Sequence, residues 1–311
     1  MPPPSSGGAV IIEMLNILEE YDLRMLGFGD PATVHLMAEA IRLAFADRAT
    51  FMGDPAFNSI PLEFLTSKQY AKQLGKSIDH GHARNSRTIT PGNGLIPLPQ
   101  SRTRPEPSPA PAPAKTKEGM HTTHLSVVDA RGGAVSLTQT VNTLFGSCVV
   151  ACGTGVVMNN EMDDFAAAPG EPNAYGLVQG EANAIAPGKV PLSSMSPTLV
   201  FKDGRLFMVI GSPGGPRIIT TVMEVIVNVI DFDMDIGEAV SAPRFHHQWL
   251  PDQVYLESGL LSFRQKLMLK GLGHKVKNYI LPCNAQGIVI MPDHTLQGAS
   301  DPRGIGKPEG Y

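Results

Sequence analysis

Three cysteines, one tryptophan and no apolar run long enough to cross a bilayer set the first limits on this chain of 311 residues. A membrane-spanning helix needs about twenty consecutive apolar residues, so none is expected. Cys148, Cys152 and Cys283 cannot all pair, and Cys148-Val-Val-Ala-Cys152 lacks the second half of a structural zinc site; buried or idle thiols are the expectation. Excess charge of one sign is missing too. With a formal net charge of -4 and a pI near 6.1, the chain has no basic field for nucleic acid or an anionic membrane, which leaves a small molecule as the expected partner. There is no internal repeat, no Asn-x-Ser/Thr sequon, and no charged lead into a signal-peptide core at Met1 to Gly8. The compartment is left open. What is present is a 42% hydrophobic composition, which suits a globular core.

Helical periodicity covers residues 8–20 and 31–51, the second with Val34, Met37, Ile41 and Phe45 on one face and Pro31 in its first turn. From residue 88 to 114 the composition shifts to Pro, Ser and Thr, and the alternating prolines of 105–113 point to extended polyproline conformation. The period then becomes two: residues 124–129 and 134–139 around Ala130-Arg131-Gly132-Gly133 predict one hairpin, residues 198–202 and 206–211 around Asp203-Gly204 a second. The apolar segment 217–230 predicts a buried helix, followed by a helix near 260–270 and strands at 275–280 and 287–290. Antiparallel neighbours flanked by helices favour α/β layers over a doubly wound parallel sheet. Three regions follow: residues 1–87, an exposed linker 88–121, and residues 122–311.

Thr122 and Thr123 stand where the linker meets a strand. A cut before Thr122 would place nucleophile and base on one residue: the hydroxyl attacks, and the free α-amine, with an unperturbed pKa of roughly 7.7 to 8.0, takes the proton. Thr-Thr-His also fits a plain β-branched strand start. Gly214 and Gly215 lie between a strand and a helix, where their backbone N–H groups could meet an oxyanion or a phosphate, or form a tight turn only. The phosphate reading lacks a following Lys-Ser/Thr and a complete Gly-x-Gly-x-x-Gly. Asn159-Asn160-Glu161-Met162-Asp163-Asp164-Phe165 follows the apolar, strand-like Val156-Val157-Met158 and brings carboxylates to a loop, for an ammonium group, for calcium, or simply for solvent. Ser193 and Ser194 offer hydroxyls to a carboxylate, or form a turn. His121 and His124 lack a further ligand, and His246-His247 beside Trp249 reads as internal packing. No metal and no cofactor are assigned.

Taken in order, these segments resemble the γ-glutamyltranspeptidase (glutathione hydrolase) family of N-terminal-nucleophile hydrolases. The resemblance runs through Met1-Pro2-Pro3-Pro4-Ser5-Ser6-Gly7-Gly8, Thr122-Thr123-His124, Thr140-x-Asn142, residues 159–165, Pro191 to Thr198, Gly211 to Gly215 and Ala242 to Trp249. It implies a four-layer αββα sandwich, autocatalytic cleavage between His121 and Thr122 into large and small subunits, and a γ-glutamyl ester on Thr122. Water resolves that ester as hydrolysis, and an amino acid or dipeptide amine resolves it as transfer. The resemblance further implies that Thr140 hydrogen-bonds the nucleophile and that Gly214 and Gly215 hold the oxyanion. Asn142, Glu161 and Asp164 would bind the substrate ammonium, Ser193 and Ser194 its carboxylate, and Tyr175 would gate the site from a lid at 166–177. It also implies a periplasmic or extracellular setting. The family has a long section ahead of the Met-Pro-Pro-Pro motif, including an arginine that clamps the carboxylate. This chain starts at the motif, so the sandwich is expected to lack its N-terminal portion, and no arginine of the chain is assigned that role. A cephalosporin-acylase-like enzyme and a truncated or degenerate non-catalytic relative are the alternatives.

Overall fold

The structure, a computed structural model, describes residues 1–99 and 120–311. The first part holds α1 (Gly7–Leu18), the single turn α2 (Leu23–Leu26), α3 (Pro31–Phe51), the single turn α4 (Leu62–Leu65) and α5 (Lys68–Ser77). The second runs β1 (Met120–Val128), β2 (Ala134–Thr143), β3 (Thr198–Lys202), β4 (Arg205–Gly211), α6 (Arg217–Ile230) and α7 (Ile236–Ser241). It continues with β5 (Phe245–His246), β6 (Val254–Leu256), α8 (Phe263–Gly271), β7 (Val276–Asn278), β8 (Gln286–Ile290) and β9 (Leu296–Ser300). Helix α3 has the bounds the sequence predicts because its signals are local: Asp30 accepts from the Ala32 N–H as N-cap, and Pro31 occupies the first turn.

The strands form an antiparallel sheet in the order β3-β4-β8-β9, a separate β1-β2 hairpin and a small β5-β6-β7 sheet. The hairpin lies against β4 and β8, while α6 and α7 cover the other side of the four-stranded sheet. Helices α1 and α3 pack beyond α6, so Met14, Ile17, Ile41, Phe45, Val222 and Met223 form one core. The order is therefore helix, sheet, sheet, the α/β arrangement expected, and no described residue forms a further helical layer over the hairpin.

That hairpin is inverted relative to a usual half-buried pair. Its inner face carries His124 and Thr138, both buried, with Ser126 and Ser136 donating to the Gln286 and Ile210 carbonyls of the sheet beneath. Its outer face pairs Leu125 with Leu137 and Val127 with Val135, all 44–51% exposed. A period of two identifies a strand but not which face is buried. Gly211 makes the close stacking possible, since a Cβ there would fall inside the His124 ring.

Two expectations change. The segment after residue 88 is not a free linker at its start: the Gly92 N–H donates to Asp47 Oδ1 at 2.6 Å, and Ile89 and Ile96 pack on the core. The prolines of 105–113 lie outside the described residues. Val156-Val157-Met158 is no strand either; one bridge, Val150 to Val157, and three backbone hydrogen bonds pair it with residues 147–151, and this ribbon has no sheet neighbour to extend it. The helix expected near 260 begins at Phe263, set by a capping box between Ser262 and Gln265.

Candidate active site

Thr122 sits on β1 directly opposite Thr140 on β2, and the antiparallel register brings their hydroxyls to 2.8 Å. The Asn142 N–H donates to Thr140 Oγ1 at 2.7 Å, which fixes that hydroxyl beside Thr122. Asn142 has a left-handed backbone (φ 74°) that turns the strand end towards the acidic loop, where its side chain donates to the Asn160 carbonyl at 3.1 Å. The acidic loop itself is a 3-10 turn, Glu161–Asp164.

Thr122, Thr140, Asn142, Glu161, Asp164, Tyr175, Ser193, Ser194 and Gly215 line one pocket. Gly214 stands next to it in the β4-to-α6 turn, with φ 153° against 57° for Gly215. No hydrogen bond within the described residues uses either glycine's N–H. The turn needs glycine at both positions: a Cβ on Gly214 would lie 2.7 Å from Cys283 Sγ, and one on Gly215 would lie 2.9 Å from the Tyr175 ring. Tyr175 thus lies over the turn, and its hydroxyl donates to Asn142 Oδ1. With the tyrosine in this position the open space is about 20 Å³. That is enough for a water and too little for an amino acid.

The pocket walls differ in charge. On one side Glu161 and Asp164 share a hydrogen bond; burial first, then each other's proximity, pushes Asp164 well above the usual carboxylate range, and burial raises Glu161 as well. On the other side Ser193 Oγ accepts from the Met195 N–H at 3.0 Å, and Ser194 Oγ accepts from Arg48 Nη2 at 3.0 Å. Arg48 is a pocket residue that the sequence gives no means of finding: it lies on the last turn of α3, 146 positions from Ser194, and is 2% exposed. Gln179 and Asn173 line the pocket too. Gln179 reaches the Asp164 carbonyl at 3.1 Å and Asn183 at 2.9 Å, which braces the acidic turn.

The buried histidines are held in place by hydrogen bonds. Burial lowers His124 to about 4, and it is neutral between Thr138 Oγ1 (2.8 Å) and Ser126 Oγ (3.1 Å). His246 sits between Thr220 and Gln248, and Trp249 Nε1 donates to the Ser86 carbonyl at 2.7 Å, the internal packing read from the sequence. His35, Glu39 and His274 are close enough together to surround a metal ion. Their bonds fit a neutral chain instead: His35 Nε2 meets the Asp79 carbonyl at 2.7 Å, His35 Nδ1 meets His274 Nε2 at 2.7 Å, and His274 Nδ1 faces Arg42. The Arg42 guanidinium already pairs with Glu39 and Asp252, so a further cation would meet like charge. Cys283 is the one buried thiol, while Cys148 and Cys152 are exposed.

Residues 1–311 match the gamma-glutamyltranspeptidase family. The chain belongs to that family. It is 48% identical over 305 residues to the glutathione hydrolase proenzyme of Escherichia coli (strain K12), covering 98% of this chain and 49% of that protein. It is also 38% identical over 314 residues to the acylase ACY 1 proenzyme of Pseudomonas sp. (strain SE83), covering 99% of this chain and 49% of that one. The chain thus spans about half the length of the curated relatives it matches. Among solved structures, a mutant gamma-glutamyltranspeptidase of Helicobacter pylori is 50% identical with a TM-score of 0.57, covering 58% of this chain and 100% of that chain. The cephalosporin acylase of Bacillus halodurans is 25% identical with a TM-score of 0.76, covering 100% of this chain and 51% of that one. The fold shared with that acylase therefore takes in both parts of the chain. No helix among the described residues is long and apolar enough to cross a membrane.

Proposed function

We propose that this chain carries the nucleophile and most of the substrate pocket of a γ-glutamyl hydrolase and transferase acting on glutathione and related γ-glutamyl amides. The observation that carries the reading is one pocket with a threonine pair at 2.8 Å at its base, carboxylates on one wall and serine hydroxyls on the other. Carboxylates suit an ammonium group and hydroxyls a carboxylate, which together describe the α-carbon of a glutamyl unit.

Maturation begins when Thr122 Oγ1 attacks the His121 carbonyl carbon. The acyl group passes from nitrogen to oxygen and frees the Thr122 amine; water then cleaves the ester, leaving residues 1–121 and 122–311. The first fragment holds the region 1–87 and the segment 88–121, the second the small-subunit region. In turnover the Thr122 hydroxyl attacks the γ-carbonyl and gives its proton to the new α-amine. The Gly214 and Gly215 N–H groups take the negative charge that develops on the carbonyl oxygen. The α-amine returns the proton to the departing amine, and a γ-glutamyl ester remains on Thr122. Water or an acceptor amine attacks that ester and regenerates the hydroxyl. Thr140 holds the nucleophile, and Asn142, Glu161 and Asp164 hold the ammonium. Ser193 and Ser194 hold the carboxylate, and Tyr175 must swing off Gly215 for the substrate to enter.

The acylase relatives favour a second reading, a cephalosporin-acylase-like enzyme, for which a dicarboxylate acyl group without an amine serves as the test case. The acidic wall separates the two. Leaving a buried charge unpaired costs about 2–5 kcal/mol. A γ-glutamyl anilide should therefore be cleaved at least about thirtyfold faster, in kcat/KM, than the matching glutaryl anilide. Equal rates, or a preference for the glutaryl compound, would make the acylase reading the better one.

A further inference from the structure

Every hydroxyl on the carboxylate wall already has a donor aimed at its oxygen. Arg48 Nη2 donates to Ser194 Oγ at 3.0 Å, and the Met195 N–H donates to Ser193 Oγ at 3.0 Å. Each serine is left with its own hydrogen, which has no acceptor among the hydrogen bonds of the described residues. A hydroxyl whose lone pair is engaged by a cation turns its hydrogen away from that cation, here into the pocket. The second arm of Arg48 has a parallel task. Nε donates to Ser6 Oγ at 2.9 Å, and Ser6 Oγ donates to the Ser193 carbonyl at 2.8 Å, where the Ser6 N–H also donates at 2.9 Å. The Ser193 N–H in turn donates to the Pro4 carbonyl at 3.0 Å, and Ser5 Oγ donates to the Met195 carbonyl at 2.6 Å. One guanidinium therefore ties the residues before α1, the last turn of α3 and the two-serine wall into one unit.

We propose that Arg48 is a positioning residue for α-carboxylate recognition: directly it commits the Ser194 hydroxyl to donate into the pocket, and through Ser6 it holds the Ser193 backbone, whose own hydroxyl is committed by the Met195 N–H, so that the site selects an anion there. The inference rests on the γ-glutamyl reading above, and goes beyond it by assigning the selectivity to a side chain remote in sequence from the pocket's own motifs. Lysine cannot replace it, since an ammonium is a point charge without the planar fork that reaches Ser6 and Ser194 together. The charge has a second consequence: Arg48 also faces Asp164 and favours its ionised form, so both ends of the glutamyl head group are set by one cation.

Equilibrium binding of L-glutamate and of 4-aminobutyrate, which is glutamate without its α-carboxylate, to the full chain tests this. The wild type should prefer L-glutamate strongly. Arg48→Lys should reduce that preference about tenfold or more, and Ser6→Ala, which keeps the arginine and removes the relay, should reduce it by a smaller factor. A purely structural role would weaken both ligands alike and leave their ratio unchanged. An unchanged ratio in both variants, with the wild type still selective, overturns the role of Arg48 and leaves the γ-glutamyl reading standing. Should Arg48→Lys fail to fold, Ser6→Ala decides alone. A wild type that prefers 4-aminobutyrate, or binds neither ligand, overturns the reading of the pocket and the inference with it.

Discussion

Asp164 is pulled in two directions by its neighbours. Burial and the Glu161 carboxyl hold its proton on, while Arg48 favours its ionised form. An incoming ammonium needs the ionised form, so γ-glutamyl donor binding should weaken as pH falls through the raised Asp164 value and strengthen above it. Glu161→Gln removes the like charge; the acid limb of kcat/KM should then move to lower pH, measured with one donor across the acid range. A limb that moves upward, or stays fixed, would detach Glu161 from this role. Individual site residues were legible where chemistry and order coincide: threonines at a strand start, paired glycines before a helix, an acidic turn, two serines. Arg48 and its partner Ser6 were not, because Arg48 lies 42 positions from Ser6 and 146 from Ser194. No residue type or spacing announces such a contact. His124, to which the sequence assigned no role, has its ring held between two hydroxyls under a sheet.

Helix α6 is buried along nearly its whole length, and it carries Glu224 into the core. Burial pushes that carboxyl up to about 8, only partly opposed by the Phe245 N–H at 3.0 Å and by Arg244. The sign follows from proton counting. An unfolded glutamate ionises near its ordinary value of 4.5, whereas the folded one keeps its proton to about 8, so stability falls as pH rises across that window. Glu224→Gln keeps an oxygen to accept from Phe245 and removes the titration. Its melting temperature relative to wild type should climb from pH 5 to pH 8 and level off above, read by circular dichroism. A constant difference would place the titration elsewhere. Elements were legible where caps and periodicity are local, as in α3 and α6. The orientation of the β1-β2 hairpin was not legible, because the polar inner face is held by bonds to Gln286 and Ile210, which are far away in sequence. The ribbon after Asn142 failed for a related reason: apolar residues there have no strand beside them and stay exposed, Val150 and Val156 at 57% each.

At the scale of the whole molecule, both parts of the chain build one pocket. The segment before α1 pairs with Ser193, the end of α3 braces Ser194, and the hairpin supplies the threonines. The layering was foreseeable from hairpins alternating with helices, but which segments meet at the pocket follows from packing across the core and was legible only through the family resemblance. The central claim is that Thr122 becomes an N-terminal nucleophile. Intact mass spectrometry of the purified chain after incubation near neutral pH, beside Thr122→Ala, measures this directly. The account predicts two fragments from the wild type, one ending at His121 and one beginning at Thr122, and a single uncut chain from the variant. A wild type that stays whole, or a variant cut at the same bond, would contradict it.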